Sequence, residues 1–529
     1  MTSQENIVHT TPAEAPPPLN IGIFFDGTGN DNKKTNKDSL SNVWYLYKMH
    51  KGDDQELLND KYTSRKFYQR GVGSESDGLL SWAIDTAGNA GGYGAAVRFD
   101  NAIFYIEKYI SEYLLEFDVF PTIITLDVFG FSRGAAMARH FVNCIKQNYF
   151  DFKDPDINKA FSANNILINF LGIFDTVGSF NIAGDNDDFG FSFHIKPSWI
   201  ESKAVHIYAL NEYRWGFDQQ ALTQIQDTNY PVDIVEGNFI EIGLPGAHSD
   251  IGGSYSFNKL TQFANNALLA CPPLALMAKH AMENGVPLEA ELSDSARKDA
   301  GNAIIDTDKG TNKDNGVDDT RSYDEMIGSY NLIMPYIENE KLRAPMGLWR
   351  EHIALVDIYK YKLKNMNKRR RSSSDHYDDR QRRIDSLERK IREASNLVQL
   401  SEQSLITSFE EEYGTDCKDE FNSFKSNYDI LYQKYMHRSH YPFNTTFGMG
   451  KQAADENDSR RDRSLTDDRP HRDIFKNQYK DFEKTNIKRT QSKKQNNSRH
   501  GTADTEAAPE FNILESNFWA DPNKEGSTL

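Results

Sequence analysis

Short, nearly continuous apolar runs, each stopped by glycine or aspartate, recur through the first half of the chain. Ile21-Gly22-Ile23-Phe24-Phe25 is stopped by Asp26-Gly27-Thr28-Gly29-Asn30. Residues 122–129 (TIITLDVF) end at Gly130, residues 166–174 (ILINFLGIF) end at Asp175, and residues 238–242 (NFIEI) come just before Leu244-Pro245-Gly246. Runs of this kind predict strands buried on both faces of a parallel sheet. Helical stretches lie between and after them, over 97–115, 135–148 and 263–284. Strands alternating with helices predict an α/β fold, a mostly parallel sheet flanked by helices.

The pattern changes past residue 285. Residues 293–325 are polar and rich in Asp, Asn, Lys and Gly, which suits a long loop. Residues 351–435 are charged and helical in pattern, and Ile384, Leu387, Ile391, Ala394 and Val398 recur at intervals of 3, 4, 3 and 4. That spacing predicts an amphipathic or short coiled helix. Residues 368–371 (KRRR), with Ser372, Ser373 and Ser374, mark a turn before it. Residues 451–509 hold almost no apolar runs. The expected organisation is a disordered tail over 1–18, an α/β domain over 19–290, a polar excursion and connecting segment over 291–350, a helical accessory region over 351–450, and a charged, poorly ordered tail over 451–529.

Composition narrows the function classes. The 529 residues include 32 Phe and 25 Tyr, enough for a large core, so wholesale disorder is excluded. Against 61 Lys+Arg stand 78 Asp+Glu, a net charge of −17, which argues against a nucleic-acid partner. Cys144, Cys271 and Cys417 are too few and too scattered for a disulfide framework or a zinc site. The N-terminus lacks the apolar core of a signal peptide, and no run of about 18 apolar residues exists. A soluble cytoplasmic product is expected, and any export must use a route without an ordinary signal peptide.

The strongest chemical signal is Gly130-Phe131-Ser132-Arg133-Gly134. The bare G-x-S-x-G pattern arises by chance in roughly one chain in seven of this composition. Here it follows a predicted buried strand and opens a helix with Ala135-Ala136, which is the context a nucleophile elbow requires. Ser132 is therefore the candidate nucleophile, and the Arg133 N–H a candidate oxyanion donor. Serine needs a base and an orienting acid. Asp175, in Phe174-Asp175-Thr176-Val177-Gly178, ends the next strand at the sheet edge where ligand sites form. His248, in Leu244-Pro245-Gly246-Ala247-His248-Ser249-Asp250, follows a strand in a glycine-dense loop. Asp250 is an alternative acid or a metal ligand. His437 and His440 are rival bases, although a surface pair in a Tyr-rich docking segment is the plainer reading of them.

The Asp26-Gly27-Thr28-Gly29-Asn30 loop offers a second oxyanion donor at Gly27. Its motif also invites comparison with haloacid-dehalogenase phosphatases, whose first strand ends Asp-x-Asp-Gly-Thr. Phe24 stands here at the nucleophile's position, which argues against phosphoryl transfer. The acidic run Asp185-Asn186-Asp187-Asp188 could take calcium, but reads first as a solvated loop.

Four motifs in order, FFDGTGN, GFSRGAA, FDTVGS and PGAHSDIGG, resemble the α/β-hydrolase domain of the phospholipase effectors delivered by bacterial type VI secretion. RKFYQRGVGS (65–74), the glycine-rich stretch 87–96 and LALMAKHAMENGV (274–286) share that resemblance, and 437–440 does so more loosely. It covers residues 19–290. It implies an α/β-hydrolase-like catalytic domain, with Ser132 as nucleophile, Asp175 as acid and His248 as base, and hydrolysis of a phospholipid acyl ester in a target-cell membrane. It further implies a secretion spike or adaptor protein and an immunity protein as partners, and delivery into the periplasm of a target cell. The chemistry needs no metal and no cofactor. Membrane docking by a net-acidic chain would need a local patch, for which the tail residues Lys488, Arg489, Lys493, Lys494 and Arg499, or the helix near 384–398, are candidates.

Overall fold

The structure, a computed structural model, describes residues 17–28, 30, 40–52, 63–71, 91–178, 195–212, 222, 238–254, 267–289, 323–368 and 377–437. Among them six strands form one sheet: β1 (Leu19–Phe25), β2 (Thr63–Gln69), β3 (Ile124–Phe131), β4 (Ile166–Phe174), β5 (Ile200–Ala209) and β6 (Phe239–Leu244). Their order is β2-β1-β3-β4-β5-β6, and every pairing is parallel. All the strands therefore end at one edge, and the order reverses between β1 and β3, the type of point where open α/β sheets bind ligands.

Alternation along the strands divides the core. On one face Ile21, Ile23, Phe25, Leu126 and Val128 meet α2 (Gly91–Phe117), α3 (Arg133–Lys146) and α4 (Pro155–Ala160). On the other, Phe24, Phe129, Phe170 and Ile207 meet α1 (Asn42–Met49) and α6 (Cys271–Glu283). The short α5 (His248–Gly252) lies between β6 and α6. Helix α1 begins where the Ser41 hydroxyl accepts the Trp44 N–H at 3.1 Å, an N-cap that satisfies one orphan donor. Phe24 stacks on Phe129 with ring centroids 4.9 Å apart, so it is a core residue.

The C-terminal part is helical, as expected, but starts earlier than expected. Helix α7 (Tyr323–Glu338) and the start of α8 (Glu340–Lys368) occupy positions read from sequence as connecting segment. Then follow α9 (Tyr377–Tyr413), α10 (Lys418–Ile430) and one π-helical turn (Leu431–Tyr435). An aromatic knot of Tyr336, Trp349, Phe409, Phe424 and Tyr428 joins these helices. It belongs to the same core as Phe24 and Phe129, so the helices cover one face of the sheet.

Two strands escape the sequence pattern. Strand β2 carries Arg65 and Lys66 on an edge, and β5 is polar in its first half with His206 inside its apolar part. The turn expected over 368–374 lies, past Lys368, outside the described residues, as do Asp185–Asp188, His440 and the basic tail. The periodic face at 384–398 is spoken for: Leu387, Ile391, Ala394 and Val398 pack on Leu355, Val356 and Tyr359 of α8. That contact removes it as a membrane-docking face. No described helix is long and apolar enough to cross a membrane.

Asp127 lies fully buried in β3, where Asn20 Nδ2 donates to Oδ2 at 2.8 Å and Asn169 Nδ2 to Oδ1 at 2.7 Å. Burial outweighs these donors and raises the carboxyl pKa to about 6. A raised folded-state pKa adds stability that is full below the unfolded value and is lost as pH rises through the folded one. Urea unfolding of the Asp127→Asn variant and the parent chain should therefore show the variant gaining by about 2–3 kcal/mol between roughly pH 4 and pH 7. A pH-independent difference between the two would contradict this.

Candidate active site

The first feature is a strained turn. Ser132 joins β3 to α3 at φ 58° and ψ −126°, a backbone conformation that side chains rarely adopt. Its flanking glycines are required sterically. A Cβ at Gly130 would lie 2.5 Å from the Gly134 carbonyl oxygen, and one at Gly134 would lie 2.3 Å from that of Phe25. The Ser132 hydroxyl sits at the N-cap position of α3 but makes no capping bond. The Ser132 N–H donates to the Phe174 carbonyl at 3.0 Å, and its carbonyl accepts from Val177 at 3.3 Å. The turn is thus stitched on both sides of Asp175.

Asp175 ends β4 with a second positive φ, 36°. It is fully buried. Its Oδ1 accepts the Ala209 N–H at 2.9 Å, and its Oδ2 accepts the ring N–H of His248 Nδ1 at 2.6 Å. Behind it lies a pair that sequence reading missed. The Thr176 N–H donates to His206 Nε2 at 3.2 Å, which makes Nε2 the acceptor and leaves Nδ1 to donate to Glu241 Oε1 at 2.8 Å. His206 and Glu241 are register partners on β5 and β6. The available signal was one polar residue inside an apolar stretch of each strand, His206 in the second half of β5 and Glu241 in β6.

His248 opens α5, and its N–H donates to Glu212 Oε2 at 3.2 Å. Its ring lies against Phe131, the residue before the serine, with centroids 4.6 Å apart. Gly252 makes room, since a Cβ there would fall 2.0 Å from the Phe131 ring. So Asp175 and His248 are joined directly, and Ser132 adjoins them through its own backbone and through Phe131.

The alternatives sort themselves by burial. His437 is not on the surface but buried, and its Nδ1 pairs with Asp250 Oδ1 at 2.6 Å. Asp250 Oδ2 accepts the N–H groups of His437 and Ala247, each at 2.9 Å. Asp250 therefore serves His437, and Asp175 serves His248.

At the neighbouring strand end, Asp26 gathers donors. Gly27 N–H and Asn30 Nδ2 reach its Oδ1 at 2.6 and 3.1 Å, and Ser41 Oγ and Tyr68 Oη reach its Oδ2 at 2.7 and 2.5 Å. Burial raises the Asp26 pKa against the pull of these bonds. The Gly27 N–H, expected as an oxyanion donor, is thus engaged by its neighbour's carboxylate. Arg133 Nε donates to Thr28 Oγ1 at 2.5 Å, tying the loop to the start of α3.

With this geometry in hand, a match to a family model is decisive: residues 20–148 and 146–280 fit the type VI secretion phospholipase effector Tle1-like catalytic domain. Through these residues the chain belongs to the Tle1-like family. Two solved structures are similar to it. One is a Tle1 effector bound to the VgrG spike of the type 6 secretion system, at 26% identity and a TM-score of 0.33, with 49% of this chain and 56% of that chain covered. The other is an uncharacterized protein from Pseudomonas aeruginosa, at 17% identity and a TM-score of 0.41, with 79% and 64% covered. The chain thus spans less than two thirds of either structure. The search of curated proteins finds no match. The Tle1-like match takes in Ser132, Asp175 and His248 and stops before α7.

The steric argument at the elbow has a direct check. Gly134→Ala should destabilise the chain by about 1–3 kcal/mol, because the new methyl meets backbone oxygens that cannot swing away. Thermal unfolding measures this, and an unchanged midpoint would mean that the turn is looser than described.

Proposed function

We propose that this chain is a serine acyl hydrolase of membrane glycerophospholipids, of the phospholipase A type, deployed as an antibacterial type VI effector. The bond between His248 Nδ1 and Asp175 Oδ2, set beside the strained serine in a Tle1-like domain, carries this reading. His248 Nε2 takes the proton as the Ser132 hydroxyl attacks the acyl carbonyl. Asp175 holds the ring in the tautomer with a proton on Nδ1 and stabilises the imidazolium. The Arg133 N–H, at the first turn of α3, receives the oxyanion, and losing one such donor typically costs about 3 kcal/mol. Gly27 supplies the second donor once its N–H leaves Asp26. Protonated His248 then returns its proton to the leaving lysolipid oxygen, and water, deprotonated by His248, releases the fatty acid.

Membership of a type VI effector family supports a secretion spike or adaptor protein as the delivery partner. It likewise supports an immunity protein in the producing cell and the target-cell periplasm as the destination. The test is mass spectrometry of purified phospholipid incubated with the full chain. The parent should release free fatty acid and lysophospholipid. Ser132→Ala and His248→Ala should each lower kcat by about ten-thousand-fold or more while keeping the fold. Turnover of soluble p-nitrophenyl esters alone would assign a soluble-ester esterase instead. Failure of a fluorophosphonate to label Ser132 would assign a binding module on a hydrolase scaffold.

A further inference from the structure

The loop that carries His248 is gripped from outside the catalytic domain. Asn211, just past β5, accepts the Gly246 N–H on Oδ1 at 3.0 Å, and its own N–H donates to the Gly246 carbonyl at 2.9 Å. Asn211 Nδ2 in turn donates to the Tyr428 hydroxyl of α10 at 2.9 Å. Four residues further along the loop, Asp250 receives both the Nδ1 proton and the backbone N–H of His437. The same carboxylate holds the Ala247 N–H, so His437 acts on the residue before His248 through a single side chain. Two hydrogen-bond chains from the C-terminal helices therefore reach the loop at Gly246–Ala247 and at Asp250, bracketing the histidine.

The gripping segment is itself anchored. Glu325 of α7 accepts from Lys434 Nζ and Tyr435 Oη, each at 2.5 Å, and the Tyr432 hydroxyl donates to Asp357 of α8 at 2.9 Å. Tyr428 packs on Trp349 with centroids 5.1 Å apart. The π-helical turn Leu431–Tyr435 is thus fixed to two helices before the chain delivers His437.

We propose, on the hydrolase reading above, that Tyr428 and His437 are positioning residues for the general base, so that the C-terminal helices complete the active site. His437 takes no proton from the serine. It holds Asp250, and Asp250 sets the loop from which His248 reaches Asp175. Positioning of this kind acts on kcat more than on KM, because a small displacement of a catalytic group is felt mainly in the transition state.

The test uses the full chain with a short-chain p-nitrophenyl ester, and hydrogen exchange of the peptide spanning 244–254. His437→Ala should lower kcat by about 10- to 100-fold with KM within about twofold. It should also speed exchange at Ala247 and its neighbours. His437→Asn, whose side-chain amide can still donate to Asp250, should recover most of the loss. Tyr428→Phe, nearly isosteric, keeps the aromatic packing and removes the acceptor for Asn211; it should lower kcat to a lesser degree, and it covers the case in which His437→Ala does not fold. An unchanged kcat in folded His437→Ala or Tyr428→Phe overturns the proposal, and so does a loss that His437→Asn fails to restore. If Ser132→Ala retains the parent's activity, the hydrolase reading is what fails. Exchange across 244–254 then decides the clamp alone, and rates equal to the parent's reject it.

Discussion

A carboxylate and an imidazole held 2.6 Å apart out of water are useful only when each has other partners that fix it in place. Asp175 has the Ala209 N–H on its other oxygen, and its own N–H lies on the Ile207 carbonyl. His248 has Glu212 at its backbone and Phe131 across its ring. Losing any of these hydrogen bonds leaves a buried polar group unmatched, at a cost of about 1–3 kcal/mol. The fold concentrates such supports at the carboxyl ends of β3, β4 and β5, where three strand ends converge. A parallel sheet makes that convergence possible, since all its strands point the same way.

Local strain is the counterpart of this support. Ser132 and Asp175 both carry positive φ, and each directly follows a strand, β3 and β4. Conformations of this kind cost of order 1–3 kcal/mol each and persist only where the surroundings over-determine them. The stitching between Ser132, Phe174 and Val177 and the hydrogen bond from Thr176 to His206 provide that determination. Both are also residues that the sequence motifs single out at strand ends.

Much of this was legible in the chain itself. The runs at Ile21, at 122–129, at 166–174 and at 238–242 announced buried strands because a parallel strand is apolar on both faces. Ser132 was legible because G-x-S-x-G needs a strand before it and small residues after it. Strand β2 was not, since Arg65 and Lys66 interrupt its apolar signature although neither is exposed, Lys66 lying buried with its Nζ donating to the His50 carbonyl. Strand β5 was hidden by His206, whose partner Glu241 sits on the adjoining strand, 35 positions away in sequence. His437 reads from its local sequence as a surface residue, yet it is buried. Its burial depends on Asp250, 187 positions earlier, and no local pattern encodes a pairing of that range.

The bonds Asn211–Tyr428 and Asp250–His437 join residues 217 and 187 positions apart. Loop-closure entropy makes contacts of such separation late events in folding. On a ribosome the sheet and the serine turn emerge well before α10 does, so a nascent chain holds the nucleophile before it holds both ends of the histidine loop. Until the last helices arrive, the Asp250 carboxylate lacks its imidazole, and the face of the sheet bearing Phe24 and Phe129 lacks part of its cover. Vectorial synthesis and long-range topology together make the histidine loop the last part of the site to be fixed.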